Sequence, residues 1–302
     1  MSLIGSLFRS VSERKAAADP RGDARAVFDG AAWLEVKRCR HGVLAYNRND
    51  VFIGRSLSVY GEYSEDEVAF LCRLLAPGDT VVEAGANIGS ITVPLARAVG
   101  PGGRVIAFEP QRVAFELLCA NAVLNELGHV EPRRAAVGAE PGDIVVPVLP
   151  QDTAFNFGGV ILGDAVTGDR VPVERIDDLG LGACRLVMAD VEGMEATVIE
   201  GARDTILKHR PLLYVENNQK DRSPPLITLV QSLGYRLFWH FPPLFSPANF
   251  AGIAENVLGP VVSTNMLCIP SGADAGLAAG LIEITGPESF WRSALVPEEL
   301  QR

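Results

Sequence analysis

Thr80-Val81-Val82-Glu83-Ala84-Gly85-Ala86-Asn87-Ile88-Gly89-Ser90, followed at 104–110 by Arg-Val-Ile-Ala-Phe-Glu-Pro, is the stretch that decides the fold. Residues 80–86 form a short, β-branched apolar run that predicts a buried strand. Residues 88–100 carry apolar side chains at helical spacing, and 104–110 read as a second buried strand. A strand that turns through glycine into a helix, followed at once by another strand, is the opening unit of a parallel α/β sheet.

Downstream the rhythm continues. A helix is predicted over 112–128, ending on Gly128, with a strand near 132–137, a strand at 185–191, a helix over 194–210 and a strand at 211–217. Such alternation implies a doubly wound sheet covered on both faces. Residues 139–178 lack helical periodicity. Their runs DIVVPVL and DRVPVERI predict an inserted β-hairpin. Two last strands, 235–240 and 264–270, flank a loop rich in Pro, Phe and Asn. The organisation expected is an N-terminal extension over 1–60, a possible lid or docking hairpin with strands within 33–57, a main domain over 61–270, and a tail over 271–302 with one short helix.

The chain has 302 residues, 48% of them hydrophobic, which is ample for one large α/β domain with extensions. It contains no apolar run of spanning length, and its first residues look neither like a leader nor like a span, so a cytoplasmic protein without stable membrane insertion is expected. Leu3 to Phe8 could lie along a membrane in an amphipathic helix, although a packed or frayed terminal helix is the plainer reading. Five cysteines, odd in number and without CxxC spacing, suggest neither a disulfide framework nor a zinc knuckle. The net charge of −10 opposes phosphate backbones, and a nucleic-acid partner is not expected. The one basic cluster, KRCR at 37–40, reads as an ordinary solvated turn. A homodimer is compatible with all this.

Gly85 lets the chain turn sharply beside a ligand, and Glu109, at the end of the next strand, is placed to accept both hydroxyls of a ribose. Together they indicate an adenosine-type ligand. The spacing is GxxxG, with Asn87 where a dinucleotide fingerprint needs its second glycine, which disfavours NAD. Glu83, before the first glycine, suits a ligand with a cationic α-amino group such as S-adenosylmethionine. Two other classes remain open at this point: a nicotinamide-dependent oxidoreductase and a non-catalytic nucleoside-binding module.

PGDTVVEAGANIGSITVPLA, VIAFEP and MADVEGMEATVIEGA together resemble the FkbM family of S-adenosylmethionine-dependent methyltransferases, over about 51–270. The resemblance implies a class I methyltransferase sheet of seven strands, mostly parallel with the last antiparallel. It also implies methyl transfer, mostly to hydroxyl groups of small molecules such as sugars and polyketides. The sequence departs from the usual pattern at Glu83, where Asp is commoner, and at Ala189, where a charged or polar residue often precedes the DVEG aspartate. Expected cofactor-binding residues are Glu83, Gly85, Ala86, Asn87, Gly89, Ser90, Glu109, Pro110, Ala136 and Asp190.

Methyl transfer to a hydroxyl needs alignment and a proton acceptor. Asp190 and His240 are the candidate catalytic residues. His240 ends a predicted strand beside the Pro- and Phe-rich loop, and the competing reading stacks it among Trp239, Phe241 and Phe245. Asp190, Glu216 and Asn217 close neighbouring strands and form a candidate Mg²⁺ site, as in catechol-type O-methyltransferases, which this arrangement resembles. The competing reading has Asp190 touching cofactor or acceptor directly.

Overall fold

The computed structural model describes residues 31–162 and 165–289. The possible membrane-surface helix at Leu3 to Phe8 lies outside them. In chain order the elements begin with a hairpin, β1 (Leu34–Cys39) and β2 (Gly42–Asn47), and two helices, α1 (Ile53–Tyr60) and α2 (Glu65–Arg73). The core follows as β3 (Thr80–Ala84), α3 (Thr92–Val99), β4 (Arg104–Phe108), α4 (Arg112–Leu124), β5 (Val130–Arg133), β6 (Ala136–Val137), β7 (Gly142–Val146) and β8 (Asp169–Glu174). Then come β9 (Leu186–Ala189), α5 (Glu195–Gly201), α6 (Arg203–His209), β10 (Leu212–Glu216), α7 (Ser223–Ser232), β11 (Tyr235–His240), β12 (Asn265–Pro270) and β13 (Ile282–Ile284).

The main sheet has eight strands in the order β13-β11-β12-β10-β9-β3-β4-β5. β5, β4, β3, β9 and β10 are parallel, whereas β12 is antiparallel to both β10 and β11. This is the seven-strand sheet expected, with β13 added antiparallel to β11 at its edge. The side-chain alternation of a strand explains the two cores. Val81, Val105, Leu186 and Tyr214 face one side with Leu71 and Leu95. Val82, Ile106, Val187 and Leu213 face the other with Ile199 and Ile227.

Several boundaries differ from the sequence reading. The helix expected over 88–100 is α3, which starts at Thr92 because residues 88–91 belong to the turn after β3. α4 ends at Leu124 with Asn125 as its cap, so Gly128 lies beyond the helix. The helix expected over 194–210 is two helices that break at Ala202, where Gly201 packs so close to the Gly138 carbonyl that a Cβ would stand 2.0 Å from it. The insertion pairs β7 with β8 as expected, but β6 joins them in a three-stranded sheet and a long connection replaces a tight turn. Helix α7 was not anticipated; its Pro224 and Pro225 sit in the first turn, where no intrahelical donor is lost. The tail contributes β13 after a 3₁₀ turn at Ala275–Ala278. Among the described residues no helix is long and apolar enough to cross a membrane.

The N-terminal hairpin docks on α4 through two asparagines. Asn121 accepts from the Ala45 N–H (2.6 Å) and donates to the Ala45 carbonyl (3.0 Å). Asn125 does the same for Val43, at 3.0 and 2.7 Å. Four helical residues advance about 6 Å and two strand residues about 6.7 Å, so an i, i+4 pair matches an i, i+2 pair. Asn121 also donates to the Ile88 carbonyl at 2.7 Å, tying the hairpin to the glycine turn. We expect Asn121→Ala to destabilise the fold by about 2–4 kcal/mol, since a buried donor and buried acceptors lose their partners. Urea unfolding of the variant measures this, and a midpoint equal to wild type would show that the hairpin is held by other means.

Candidate functional site

At the carboxyl end of the parallel strands lies a cleft of about 280 Å³. It is continuous in its lining with a narrower slot of about 40 Å³, since Gly85, Glu109, Gln111, Gly158, Asp190 and Glu192 wall both. The turn after β3 shapes this junction. Gly85 N–H and Ala86 N–H both donate to the Phe108 carbonyl, at 3.0 and 2.9 Å, which fastens the turn to β4. Gly85 has φ +89°, and a Cβ there would stand 1.8 Å from the Asp190 carbonyl oxygen, so only glycine lets β3 and β9 end side by side.

Of the residues expected to bind a cofactor, Glu83, Gly85, Ala86, Asn87, Ser90, Glu109 and Asp190 line the cleft. Pro110 and Ala136 line the slot, together with Phe108 and Val137. Gly89 lines neither; its positive φ closes the turn, and Leu118 packs where a side chain would go. Glu109 Oε2 accepts from Asn87 N–H (2.9 Å) and Oε1 from Gln111 N–H (2.7 Å), which fixes the carboxyl group at the boundary of cleft and slot with lone pairs to spare. Glu83 accepts from the Thr92 hydroxyl at 2.7 Å.

His240 is not brought to the cleft. Its ring packs on Phe70, with centroids 4.2 Å apart, and Nδ1 lies 2.8 Å from the Tyr214 hydroxyl. Burial, with Arg73 nearby, lowers its pKa to about 4. The expectation of a base aimed at the acceptor is therefore corrected, and the aromatic neighbours differ too, because Trp239 stacks on Phe241 while Phe245 packs on Tyr60. Asn217 is also turned away: adjacent residues of a strand point to opposite faces, and its amide lies 3.1 Å from Met266 Sδ. The third acidic group beside Asp190 and Glu216 is Glu192, and one carboxylate oxygen of each lies within 4.8 Å of the others.

Of the residues that the sequence reading missed, Glu192 lies within the DVEG motif and Gln111 directly after the FEP motif, while the others come from distant segments. Tyr63, Gln111, Asn156, Gly159, Glu192 and Ser263 all line the cleft. The connection after β7 walls both cavities, through Asn156, Gly158, Val160 and Leu162. Its pins are the Asn47 and Asn49 amides on the Gln151 carbonyl and the Gln111 amide on the Phe157 carbonyl.

Among the described residues five carboxyl groups line the cleft (Glu83, Glu109, Asp190, Glu192 and Glu216), and no Lys, Arg or His of those residues lines cleft or slot. Burial pushes Glu83 up to about 8, Glu109 and Glu192 to about 7 and Asp190 to about 6. Glu216 is driven well above the carboxylate range by burial and by Asp190. Such a site attracts cations and rejects phosphates. Groups whose folded pKa is raised stabilise the fold below their unfolded pKa and lose that contribution as pH rises through the folded value. His240 acts in the opposite sense below about 6.5, so the clean window is above it. The ligand-free protein is expected to lose thermal stability from pH 6.5 to 8, and Glu83→Gln to flatten that loss. A melting temperature that rises across this window would contradict the assigned shifts.

A model of the methyltransferase FkbM domain matches residues 83–237. The 31-O-demethyl-FK506 methyltransferase FkbM of Streptomyces tacrolimicus is 28% identical over 214 residues, covering 60% of this chain and 81% of the relative. Methyltransferase sdnD of Sordaria araneosa is 26% identical over 160 residues, 40% of this chain and 59% of its own. The crystal structure of methyltransferase FkbM from Methylobacillus flagellatus KT is similar with a TM-score of 0.42 and 19% identity, over 63% of this chain and 43% of that one.

Proposed function

The chain belongs to the FkbM methyltransferase family, and from that premise we propose that it transfers the methyl group of S-adenosylmethionine to a hydroxyl group of a small molecule. The observation that carries this reading is the cleft, which among the described residues has five carboxyl groups and no basic side chain and is joined to a narrow, mainly apolar slot. S-adenosylmethionine brings a net positive charge, from its sulfonium and α-amino groups against one carboxylate, and an uncharged adenine. The pyrophosphate of NAD brings only negative charge to the same place, which argues against the oxidoreductase.

Glu83 is suited to the α-amino group and Glu109 to the ribose hydroxyls, with Pro110 and Ala136 bordering the base. Bound there, the donor supplies a methyl group already activated by its sulfonium. What this chain's residues add is alignment, exclusion of water and a place for the acceptor's proton. The Streptomyces tacrolimicus relative is named for an O-demethyl acceptor, which supports a hydroxyl. The acidic cleft supports a small acceptor without phosphate rather than a nucleic acid. Calorimetric titration should give binding of S-adenosylmethionine and none of NAD. Glu109→Ala should weaken that binding more than tenfold, since two hydrogen bonds to a charged group contribute about 1.5–3 kcal/mol each. Equal affinity in a folded variant would remove Glu109 from the ribose site.

Asp190, Glu192 and Glu216 offer hard oxygen ligands that fit Mg²⁺, which would orient the acceptor oxygen and acidify its hydroxyl. On this reading methyl transfer is lost after EDTA treatment, restored by Mg²⁺ and abolished by Glu216→Gln. Turnover that survives EDTA ends it and leaves Asp190 to contact cofactor or acceptor directly.

A further inference from the structure

The chain has five tyrosines, and the fold takes up four of them. The Tyr60 hydroxyl lies between the Glu255 carbonyl (2.8 Å) and the Val257 N–H (2.6 Å). That of Tyr214 meets His240 Nδ1 and the Asn265 amide, and that of Tyr235 donates to the Pro211 carbonyl at 2.8 Å. Tyr46 is wholly buried, with its hydroxyl enclosed in the protein. Tyr63 differs from all of these. It is half-buried, it lines the cleft, and its hydroxyl has no hydrogen-bond partner among the described residues.

The residues on either side of Tyr63 are tied down. Gly61 caps α1 with φ +69°, and its carbonyl accepts from the Arg40 N–H at 2.8 Å. Glu62, buried beside it, accepts through Oε2 from Arg40 Nε at 2.7 Å and from the Phe250 N–H at 2.6 Å. Ser64 holds a left-handed φ of +47°, unusual for a residue with a side chain, and its hydroxyl donates to Glu67 at 2.7 Å. The ring of Tyr63 is held as well, between the main core and a cluster of Tyr60, Leu244 and Leu258. A strained backbone and two apolar layers thus fix a ring whose hydroxyl is left without a partner, which is the pattern of a preorganised binding group.

We propose that the Tyr63 hydroxyl is a specificity-determining donor, which binds a second oxygen of the acceptor, distinct from the hydroxyl that is methylated. The inference rests on the hydroxyl-methylation reading above. Tyr63 does not border the slot, and neither does the wall beside it, formed by Leu244 and residues 261–264, so this end of the cleft falls to the acceptor. The hydroxyl to be methylated sheds a proton and belongs against the carboxyl groups of Asp190 and Glu216. Burial and the carboxyl groups of Glu67, Asp190, Asp50 and Glu216 keep the pKa of Tyr63 well above its ordinary value, so it stays a donor at neutral pH. A donor set on the reacting oxygen would occupy a lone pair needed to attack the methyl carbon. Its fitting partner is a carbonyl, ether or hydroxyl oxygen elsewhere on the acceptor. A vicinal diol or an α-hydroxy ketone offers one, and a monohydroxy alcohol does not.

The full chain tests this with matched pairs, each a vicinal diol or α-hydroxy ketone against the monohydroxy alcohol of the same carbon skeleton, and separately with a pool of amines. Release of S-adenosylhomocysteine from S-adenosylmethionine is followed. Wild type is expected to prefer the two-oxygen member about tenfold in kcat/KM, and Tyr63→Phe to abolish that preference. The affinity for S-adenosylmethionine, measured by calorimetry, should stay within twofold in the variant. The preference is a ratio within one sample, so a loss of folded protein leaves it unmoved. A wild type without the preference, a preference that survives in Tyr63→Phe, or a variant that loses S-adenosylmethionine affinity instead, overturns the assignment of Tyr63 alone. A wild type that turns over only the amines, or none of the hydroxyl compounds, overturns the hydroxyl reading and the inference with it.

Discussion

The close approach of Gly85 to the Asp190 carbonyl is the constraint on which the site depends. It brings the ends of β3 and β9 together, while the Gly85 and Ala86 N–H groups bind the same turn to β4. Three strand ends thus converge within one turn of chain, each carrying a carboxyl group: Glu83, Glu109 and Asp190. Any side chain at Gly85 would force β3 and β9 apart and dissolve the boundary between cleft and slot. The acidity of the site is therefore a property of the backbone packing as much as of the residues that happen to be acidic.

The strands that carry the site were legible because their runs are continuously apolar, a pattern that only a sheet covered on both faces demands. The glycine turn was legible for the same kind of reason, since few backbones need glycine at that point. What escaped were features set by long-range contacts. The break at Ala202 follows from Gly201 meeting Gly138 across the fold, which no local periodicity records. Prolines at the start of α7 look like loop punctuation until the helix is seen to begin there.

The site divides along the same line. Glu83, Glu109 and Asp190 end strands whose neighbours were readable, and they line the cleft together. Asn217 failed through alternation, because side chains adjacent on an extended chain cannot share a face with Glu216. Glu192 lies instead in a turn where it and Gly193 both have positive φ, a geometry that redirects its carboxyl group toward the cleft. His240 looked available because it ends a strand, yet the register of β11 against β12 sets it opposite Asn265 and under Phe70. The walls supplied by Tyr63, Ser263 and the connection after β7 have no sequence code, since their positions depend on where distant segments are pinned.

The asparagine pair on α4 has a consequence for the hairpin beyond holding it in place. β2 pairs with β1 along one side only, and its other side would present free N–H and C=O groups to any passing strand. Asn121 and Asn125 occupy both groups of Ala45 and of Val43, imitating the ladder of a third strand with side chains. A helix thereby closes a sheet edge against recruitment by another chain, and the hairpin stays monogamous without needing a charge or a proline to repel newcomers.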